Sequence, residues 1–508
     1  MILPPVLRKA GPFGLAVGAG ALMAQGLAPV SAIWVMPLAL LVIAVLFQSM
    51  PTPRRAAALG WLFGCGYFGF GLSWIMEPFQ VDAATYGWMA PFALMLMAGG
   101  LSLFWGLAFW AAARLGRGDW RLLALIGFWG LVELARAYVL TGFPWAGFAQ
   151  LALPGDVVLR AVPWIGSHGV MLAILLAILP VVLIRQRPFW ALVPAVLVAV
   201  AMAWLPEARP FGGNLPLTEQ TVRLVQPNAP QAEKWLPEKR WLFVQRMLEY
   251  TAAEPDRAGG RRPDLVIWPE TSIPTLQNYI DEIRPALIEA ARGAELLYGI
   301  QREENGRYMN SAVVMSAEGE ALDIYDKMHL VPFGEYMPLP KLWERFGVFG
   351  LASRAKGGYA PGTQRRLLDT IAGRALPLIC YEGVFAQDVN AAPARPDYLV
   401  LITNDAWFGS YSGPYQHLVQ AQLRAAEQGL PMLRAANTGV SAVIDPYGQL
   451  RDSLLLNTAG YLDARLPEPL PPTLYSRTGD WPAALLALLL VGVSGLPRLV
   501  VKRRRTLA

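Results

Sequence analysis

Charge is scarce in this sequence. Asp, Glu, Lys and Arg supply 16% of its 508 residues, against about 25% in a typical soluble domain, so the chain as a whole is not that of a soluble enzyme. Cysteine is scarcer still, with Cys65 and Cys380 alone. They fall in regions of unlike composition, which argues against a disulfide, since a bridge needs close Cα atoms. Histidine is limited to His168, His329 and His417. Two of these and one thiol in the polar region are poor equipment for a metal centre, so no metal is expected. The net charge is +6, but its basic residues sit where a membrane protein carries topology signals. A nucleic-acid reading of the "KRRR" tail is the weaker rival, and no nucleic-acid partner is expected.

Long apolar runs fill the space that charge leaves. A spanning helix needs ~20 apolar residues, and the sequence offers eight candidates: 11–28, 31–48, 56–76, 88–113, 121–140, 163–184, 189–205 and 481–497. Further apolar spans follow the first at once, so the N-terminus does not read as a cleavable signal. Every second connection is basic. Arg8 and Lys9 precede the first run, Arg54 and Arg55 the third, Arg114, Arg117 and Arg121 the fifth, Arg185 and Arg187 the seventh, and Arg498 and Lys502 to Arg505 follow the eighth. The positive-inside rule then places both termini in the cytoplasm and 207–480 on the far side. The expected organisation is a membrane domain of seven helices over 1–206, a catalytic domain over 207–480, and an eighth helix with a basic tail over 481–508.

Residues 207–480 have ordinary globular composition and are long enough to bury a core. Their apolar runs are short and β-rich: 222–228, 264–270, 295–301, 310–316, 376–382, 397–405 and 439–448. Helical stretches at 236–253, 278–292 and 415–429 fall between several of them, and this alternation predicts an α/β domain. Several runs end alike, in polar groups: Glu270, Gln301, Cys380 with Glu382, and Asn404 with Asp405. Sheets of this type bind ligands beyond the carboxyl ends of their strands. The loop "YDKMHLVPFGEYMP" (325–338) adds Lys327, His329 and Glu335.

These residue types suit acyl transfer. A thiol attacks an acyl carbon as thiolate or with a base beside it. Glu270 fits that base, and a fixed cation such as Lys327 fits the oxyanion. A Cys–His pair of Cys380 with His329 or His417 is the rival arrangement. Glu133 and Arg136, three apart near one end of the fifth run, read as an ion pair or snorkelling residues, with a lipid-headgroup contact as the alternative.

With "WPE", "YDKMHLVPFGE" and "LICYE" in that order, the chain resembles the nitrilase superfamily. It is most similar to the apolipoprotein N-acyltransferase family, a resemblance that "TGFPWAGFAQ", "PNAPQAEKW", "TNDAWFG" and "YSRTGDWP" extend over nearly the whole chain. The resemblance implies an eight-span α-helical membrane bundle joined to an α/β nitrilase-like αββα sandwich in the periplasm, anchored in the bacterial inner membrane. It implies Glu270 as general base, Lys327 as oxyanion-stabilising cation and Cys380 as nucleophile. Glu335 orders the site, and Trp235, Tyr381 and Glu382 are supporting positions. Cys380 would accept an acyl chain from a phospholipid and pass it to the α-amino group of a diacylglyceryl-modified apolipoprotein, without a cofactor and as a monomer. Two other readings stay open: a membrane-tethered amidase or nitrilase, and a transporter with an external binding domain. The glycine-rich stretch 346–362, with Phe346 and Phe349, is expected to form a lid over the acyl chain.

Overall fold

The computed structural model of the protein describes residues 11–153, 156–205, 215–255, 260–339 and 358–506. The chain divides into two compact units, one of 1–76, 88–208 and 473–508 and one of 77–87 and 209–472.

The first unit is helical. Each expected apolar run overlaps a helix, and at 11–28, 31–48, 56–76 and 121–140 the helix is shorter than the run. Among the described residues, Ala83–Leu115 and Val157–Leu183 are long and apolar enough to cross a membrane. The pair Pro53–Gly71 and Ser73–Gln80, bent by 46°, makes a third if counted as one span. Pro12–Ala24, Val35–Ser49, Pro188–Trp204 and Trp481–Leu496 are apolar but shorter. The 13 residues of Pro12–Ala24 reach only about 20 Å at 1.5 Å per residue, short of a ~30 Å hydrocarbon core. Trp120–Tyr138 has the length but carries Arg121, Glu133 and Arg136. Close helix approach explains some of the glycine: a Cβ on Gly20 would lie 2.0 Å from the Phe63 carbonyl oxygen, and one on Gly66 2.1 Å from that of Val17. Glu133 and Arg136 form a buried pair, Nη2 to Oε2 2.6 Å. The Trp105 indole donates to Glu133 Oε1 at 2.8 Å, and Arg136 donates to the carbonyls of Phe143 and Trp145. The buried pair thus joins the helices Ala90–Leu115 and Trp120–Tyr138 through Trp105 and holds the 139–147 connection through Arg136, the partners that a desolvated charge requires.

The second unit is built on strands β1 (Leu217–Gln226), β2 (Leu265–Ile267), β3 (Glu295–Glu304), β4 (Arg307–Met315), β5 (Ala321–Asp326), β6 (Leu368–Thr370), β7 (Gly373–Ile379), β8 (Tyr398–Thr403), β9 (Met432–Ala436), β10 (Ala442–Ile444), β11 (Leu450–Ser453) and β12 (Gly460–Pro467). They form two sheets of six, ordered β12-β1-β2-β3-β4-β5 and β11-β10-β9-β8-β7-β6. Each sheet has three parallel strands at its centre, β1-β2-β3 and β7-β8-β9, with antiparallel strands outside them.

The period-2 alternation of the strands sorts their side chains into layers. Leu265 and Ile267 of β2 face a core shared with Ala375 and Ile379 of β7 and Val400 and Ile402 of β8. Val266 and Trp268 face the other way, onto Val244 and Met247 of the helix Arg240–Ala252 and Leu287 of the helix Arg284–Ala291. Leu376 and Leu378 of β7 meet Leu418, Ala421 and Ala425 of the helix Gly413–Gln428. The result is helix–sheet–sheet–helix. Because the central strands are covered on both faces, their sequences are continuous apolar runs, and their parallel direction brings the polar ends of β2, β7 and β8 to one edge.

Candidate active site

Glu270 stands three residues past β2. The turn that carries it is pinned to β3: Ser272 N donates to the Gly299 carbonyl at 2.8 Å, as does its hydroxyl at 3.1 Å. A Cβ on Gly299 would lie 2.6 Å from Glu270 Cα, so only glycine lets the turn sit this close. The Glu270 carboxylate is buried. Oε1 accepts from Asn310 Nδ2 at 2.7 Å, and Oε2 accepts from the backbone N–H of Asn404, just past β8, at 2.9 Å.

Lys327 follows β5 and is 1% exposed. Its Nζ donates to Glu335 Oε1 at 2.9 Å and lies 3.6 Å from Glu270 Oε1. Asn310 Nδ2 also reaches Glu335 Oε1, at 3.2 Å, while Glu335 Oε2 accepts from Val331 N at 2.8 Å. One ammonium is therefore shared by two buried carboxylates, with an amide bridging them. Burial pulls the Lys327 ammonium down, but Glu335 and Glu270, aided by Cys380, outweigh it and hold it well above its ordinary value. It stays charged.

Cys380 directly follows β7 and lies in the left-handed region, φ 51°, an uncommon conformation for a residue with a Cβ. Burial pushes the thiol well above its ordinary value, and Glu270 adds to the shift; Lys327 and a hydrogen bond with Thr403 oppose it. The resting group is thus a neutral thiol that needs a base.

Glu382 serves the nucleophile turn from behind. Oε2 accepts from Ile379 N at 2.9 Å. Oε1 accepts from the Tyr325 hydroxyl at 2.7 Å and from the backbone N–H groups of Met328 and His329 at 2.9 and 3.2 Å. It thereby ties the end of β7 to the Lys327 loop. Replacing one oxygen by NH₂ in Glu382→Gln sets donor against donor. Bonds to a charged group contribute about 1.5–3 kcal/mol each, so the variant is expected to lose at least about that much stability and to melt lower. An unchanged Tm would show that this tie carries no stability.

The remaining predicted residues divide. His329 Nδ1 faces Asp388 Oδ2 at 2.8 Å, and its ring stacks on Phe385, centroids 3.8 Å apart. Tyr381 packs edge-on against both rings. His417 Nε2 meets the carbonyl oxygen of Cys380 at 3.2 Å. Trp235, half-buried, lines a small cavity with Lys234, Phe243, Thr271 and Asn437. Phe346 and Phe349 lie outside the described residues. The far end of their stretch is anchored at the site, where Tyr359 N donates to the Glu335 carbonyl at 2.9 Å and Gly362 N to that of Lys327 at 2.8 Å. Among the described residues, no group of three or more His, Cys, Asp or Glu is placed to hold a metal ion.

Two residues went unread in the sequence. Asn310, inside β4, looks there like an ordinary strand polar residue. Lys234, beside Trp235, is buried; its Nζ donates to the Glu270 carbonyl at 3.3 Å and to Thr271 Oγ1 at 3.4 Å. Burial lowers its ammonium to about 8 against the pull of Glu270.

Known proteins share both parts of the chain. A carbon-nitrogen hydrolase family model matches residues 221–468, and a model of the apolipoprotein N-acyltransferase N-terminal domain matches 19–179. Apolipoprotein N-acyltransferase of Rhodopseudomonas palustris is 39% identical over 460 residues, covering 86% of this chain and 85% of that protein. The protein of the same name from Bradyrhizobium diazoefficiens is 37% identical over 517 residues, covering 96% and 95%. Among solved structures, an amidase from Nesterenkonia sp. is 20% identical with a TM-score of 0.37, over 51% of this chain and 94% of that one.

Proposed function

Because the chain belongs to the apolipoprotein N-acyltransferase family, we propose that it moves an acyl chain from a phospholipid, through a Cys380 thioester, to the α-amino group of a diacylated apolipoprotein. What supports this reading most is the buried cluster of Glu270, Lys327 and Glu335 at the strand ends that also carry Cys380. A neutral thiol, a carboxylate to take its proton and a fixed cation are the parts that acyl transfer needs.

In the first half-reaction Glu270 takes the thiol proton as sulfur attacks the ester carbonyl. Lys327 and the N–H of Tyr381 receive the oxyanion. Collapse breaks the ester C–O bond, and the departing lysophospholipid oxygen takes the proton from Glu270. In the second, the acceptor amine attacks the thioester, its proton passes to Glu270, and the sulfur leaves to be reprotonated. The product is an amide, and no cofactor enters. Glu335 holds Lys327 in place, Glu382 holds the nucleophile turn, and Trp235 and Tyr381 line the approach. An amidase using the same triad with water as acceptor gives the N-terminal domain, matched over 19–179, no role.

The substrates lie in the bilayer, and we read the helical unit as eight spans that keep both termini in the cytoplasm and 207–480 in the periplasm. Two reporters in a Cys65→Ala background test this. Arg117→Cys is expected to react with an impermeant maleimide only after the inner face is opened. Asn305→Cys, which is exposed, should react in intact spheroplasts. The reverse pattern would place the site in the wrong compartment for lipoproteins.

A further inference from the structure

Behind the nucleophile lies a second set of buried polar groups that the reaction as written leaves unused. His417, on the helix Gly413–Gln428, is wholly buried, as are Asp405 and Arg434. The His417 Nε2 contact with the Cys380 carbonyl oxygen is 3.2 Å. A carbonyl oxygen only accepts, so Nε2 carries a proton and donates. The ring is fixed from its other side. Nδ1 faces Asp405 Oδ1 at 2.9 Å, and Arg434 Nη2 reaches Asp405 Oδ2 at 2.6 Å and His417 Nδ1 at 3.1 Å. The Thr403 hydroxyl donates to Asp405 Oδ1 at 2.8 Å. Burial opposes ionisation of Asp405, but Arg434 and then His417 outweigh it and hold the carboxyl below its ordinary value. The donor to this backbone oxygen is thus itself held in place by three further polar side chains, Asp405, Arg434 and Thr403.

The peptide that owns this oxygen is the one between Cys380 and Tyr381. Its carbonyl and its N–H share one resonance system and, in a trans peptide, point in opposite directions. A donor on the oxygen draws electron density from the nitrogen and strengthens the N–H as a donor, since linked hydrogen bonds polarise one another. It also fixes the peptide plane next to a residue held at φ 51°. We propose that His417 is a positioning residue for acyl transfer, which through the Cys380–Tyr381 peptide aims and strengthens the Tyr381 N–H that receives the oxyanion. The inference rests on the thioester mechanism above and gives the Asp405–His417 pair a role distinct from that of a general base.

Alkylation separates this role from others. Attack of the thiolate on iodoacetamide builds no oxyanion, whereas attack on an ester does. Both rates are read by intact mass at Cys380, in a Cys65→Ala background, for the parent, His417→Ala and His417→Gln. Removing one oxyanion donor costs ~10²–10³-fold, and weakening one costs less. His417→Ala is therefore expected to slow acylation by phospholipid ~10–100-fold while alkylation stays within about twofold. His417→Gln, whose amide can donate, should recover part of the acylation. If acylation and alkylation fall in step in both variants, His417 supports the thiol or the fold, and the proposal is wrong. It is equally wrong if neither rate falls. A parent protein that alkylates at Cys380 but takes no acyl group from phospholipid would instead remove the thioester mechanism itself.

Discussion

Cys380→Ser is expected to abolish acyl transfer while Cys65→Ala leaves it intact. The site already resists ionisation of a thiol: Cys380 is buried beside Glu270, and both raise it. A serine hydroxyl is far harder to ionise than a thiol, and the Glu270 charge opposes its ionisation in the same way. Geometry does not compensate, because the replaced atom keeps the same place at the end of β7. Label from phospholipid should therefore appear on wild type and on Cys65→Ala, be released by hydroxylamine as a thioester is, and be missing from Cys380→Ser. Hydroxylamine-stable label on Cys380→Ser, accumulating at the wild-type rate, would show that ionisation is not what limits the step.

Lys327→Met should have the second largest effect, on two separate properties. The ammonium is 1% exposed and serves two carboxylates, at 2.9 and 3.6 Å. Removing one partner of a buried ion pair is destabilising by about 3–5 kcal/mol, here because Glu335 and Glu270 are left facing each other. Activity should fall by a further ~10²–10³-fold in acylation rate per folded molecule, the usual cost of an oxyanion donor. The two losses can be uncoupled. Adding Glu335→Gln removes one of the stranded charges, so the double variant should recover part of the Tm lost in Lys327→Met and none of the acylation rate. If the rate returns with the stability, Lys327 acts only as a structural counter-ion. Glu270→Gln is expected to fall by ~10²–10⁴-fold, as for a positioned base.

What could be read in the sequence follows from which physical signals are local. The runs 264–270 and 397–405 contain β2 and β8, and 295–301 and 376–382 overlap β3 and β7, because central parallel strands are apolar on both faces, and their polar last residues mark the edge where Glu270, Cys380 and Asn404 emerge. The helices Arg240–Ala252 and Gly413–Gln428 fall on the stretches expected at 236–253 and 415–429. Strands that carry charge were harder to read. β12 contains Asp463, whose wholly buried carboxylate pairs with Arg223 of β1 at 2.6 Å, and β9 contains Arg434; in sequence both look like surface. β5 is half exposed and gives no apolar run at all. The helical unit shows the opposite error. Hydropathy counts apolar residues but does not see where a helix stops: the first helix ends at Ala24 although its apolar run goes on to 28, and the break at Gly166, φ 65°, lies inside an apolar stretch.

In the site, residue types that are rare or oddly placed were legible and ordinary ones were not. A lone thiol after a strand and a lysine between His329 and Tyr325 invite a chemical reading. Asn310 does not, yet its amide bridges Glu270 and Glu335 across separations of 40 and 25 residues. In sequence, His417 reads as a rival base for the thiol. The fold instead turns its Nε2 to the Cys380 carbonyl, because the helix that carries it packs against the nucleophile turn, where Arg424 also reaches the Val384 carbonyl at 2.7 Å. Contacts of this kind are set by helix placement, which no local pattern encodes.

The central claim is that the acyl chain rests on Cys380 between donor and acceptor. Intact-mass measurement of the purified protein tests it most directly, first with phospholipid alone and then after adding a diacylated lipopeptide with a free α-amine. The thioester account predicts a single adduct of one acyl mass, localised to Cys380, that decays as the same mass appears on the peptide amine. Acylation of the lipopeptide at full rate with no adduct on the way, or an adduct that persists in Cys380→Ala, would contradict it.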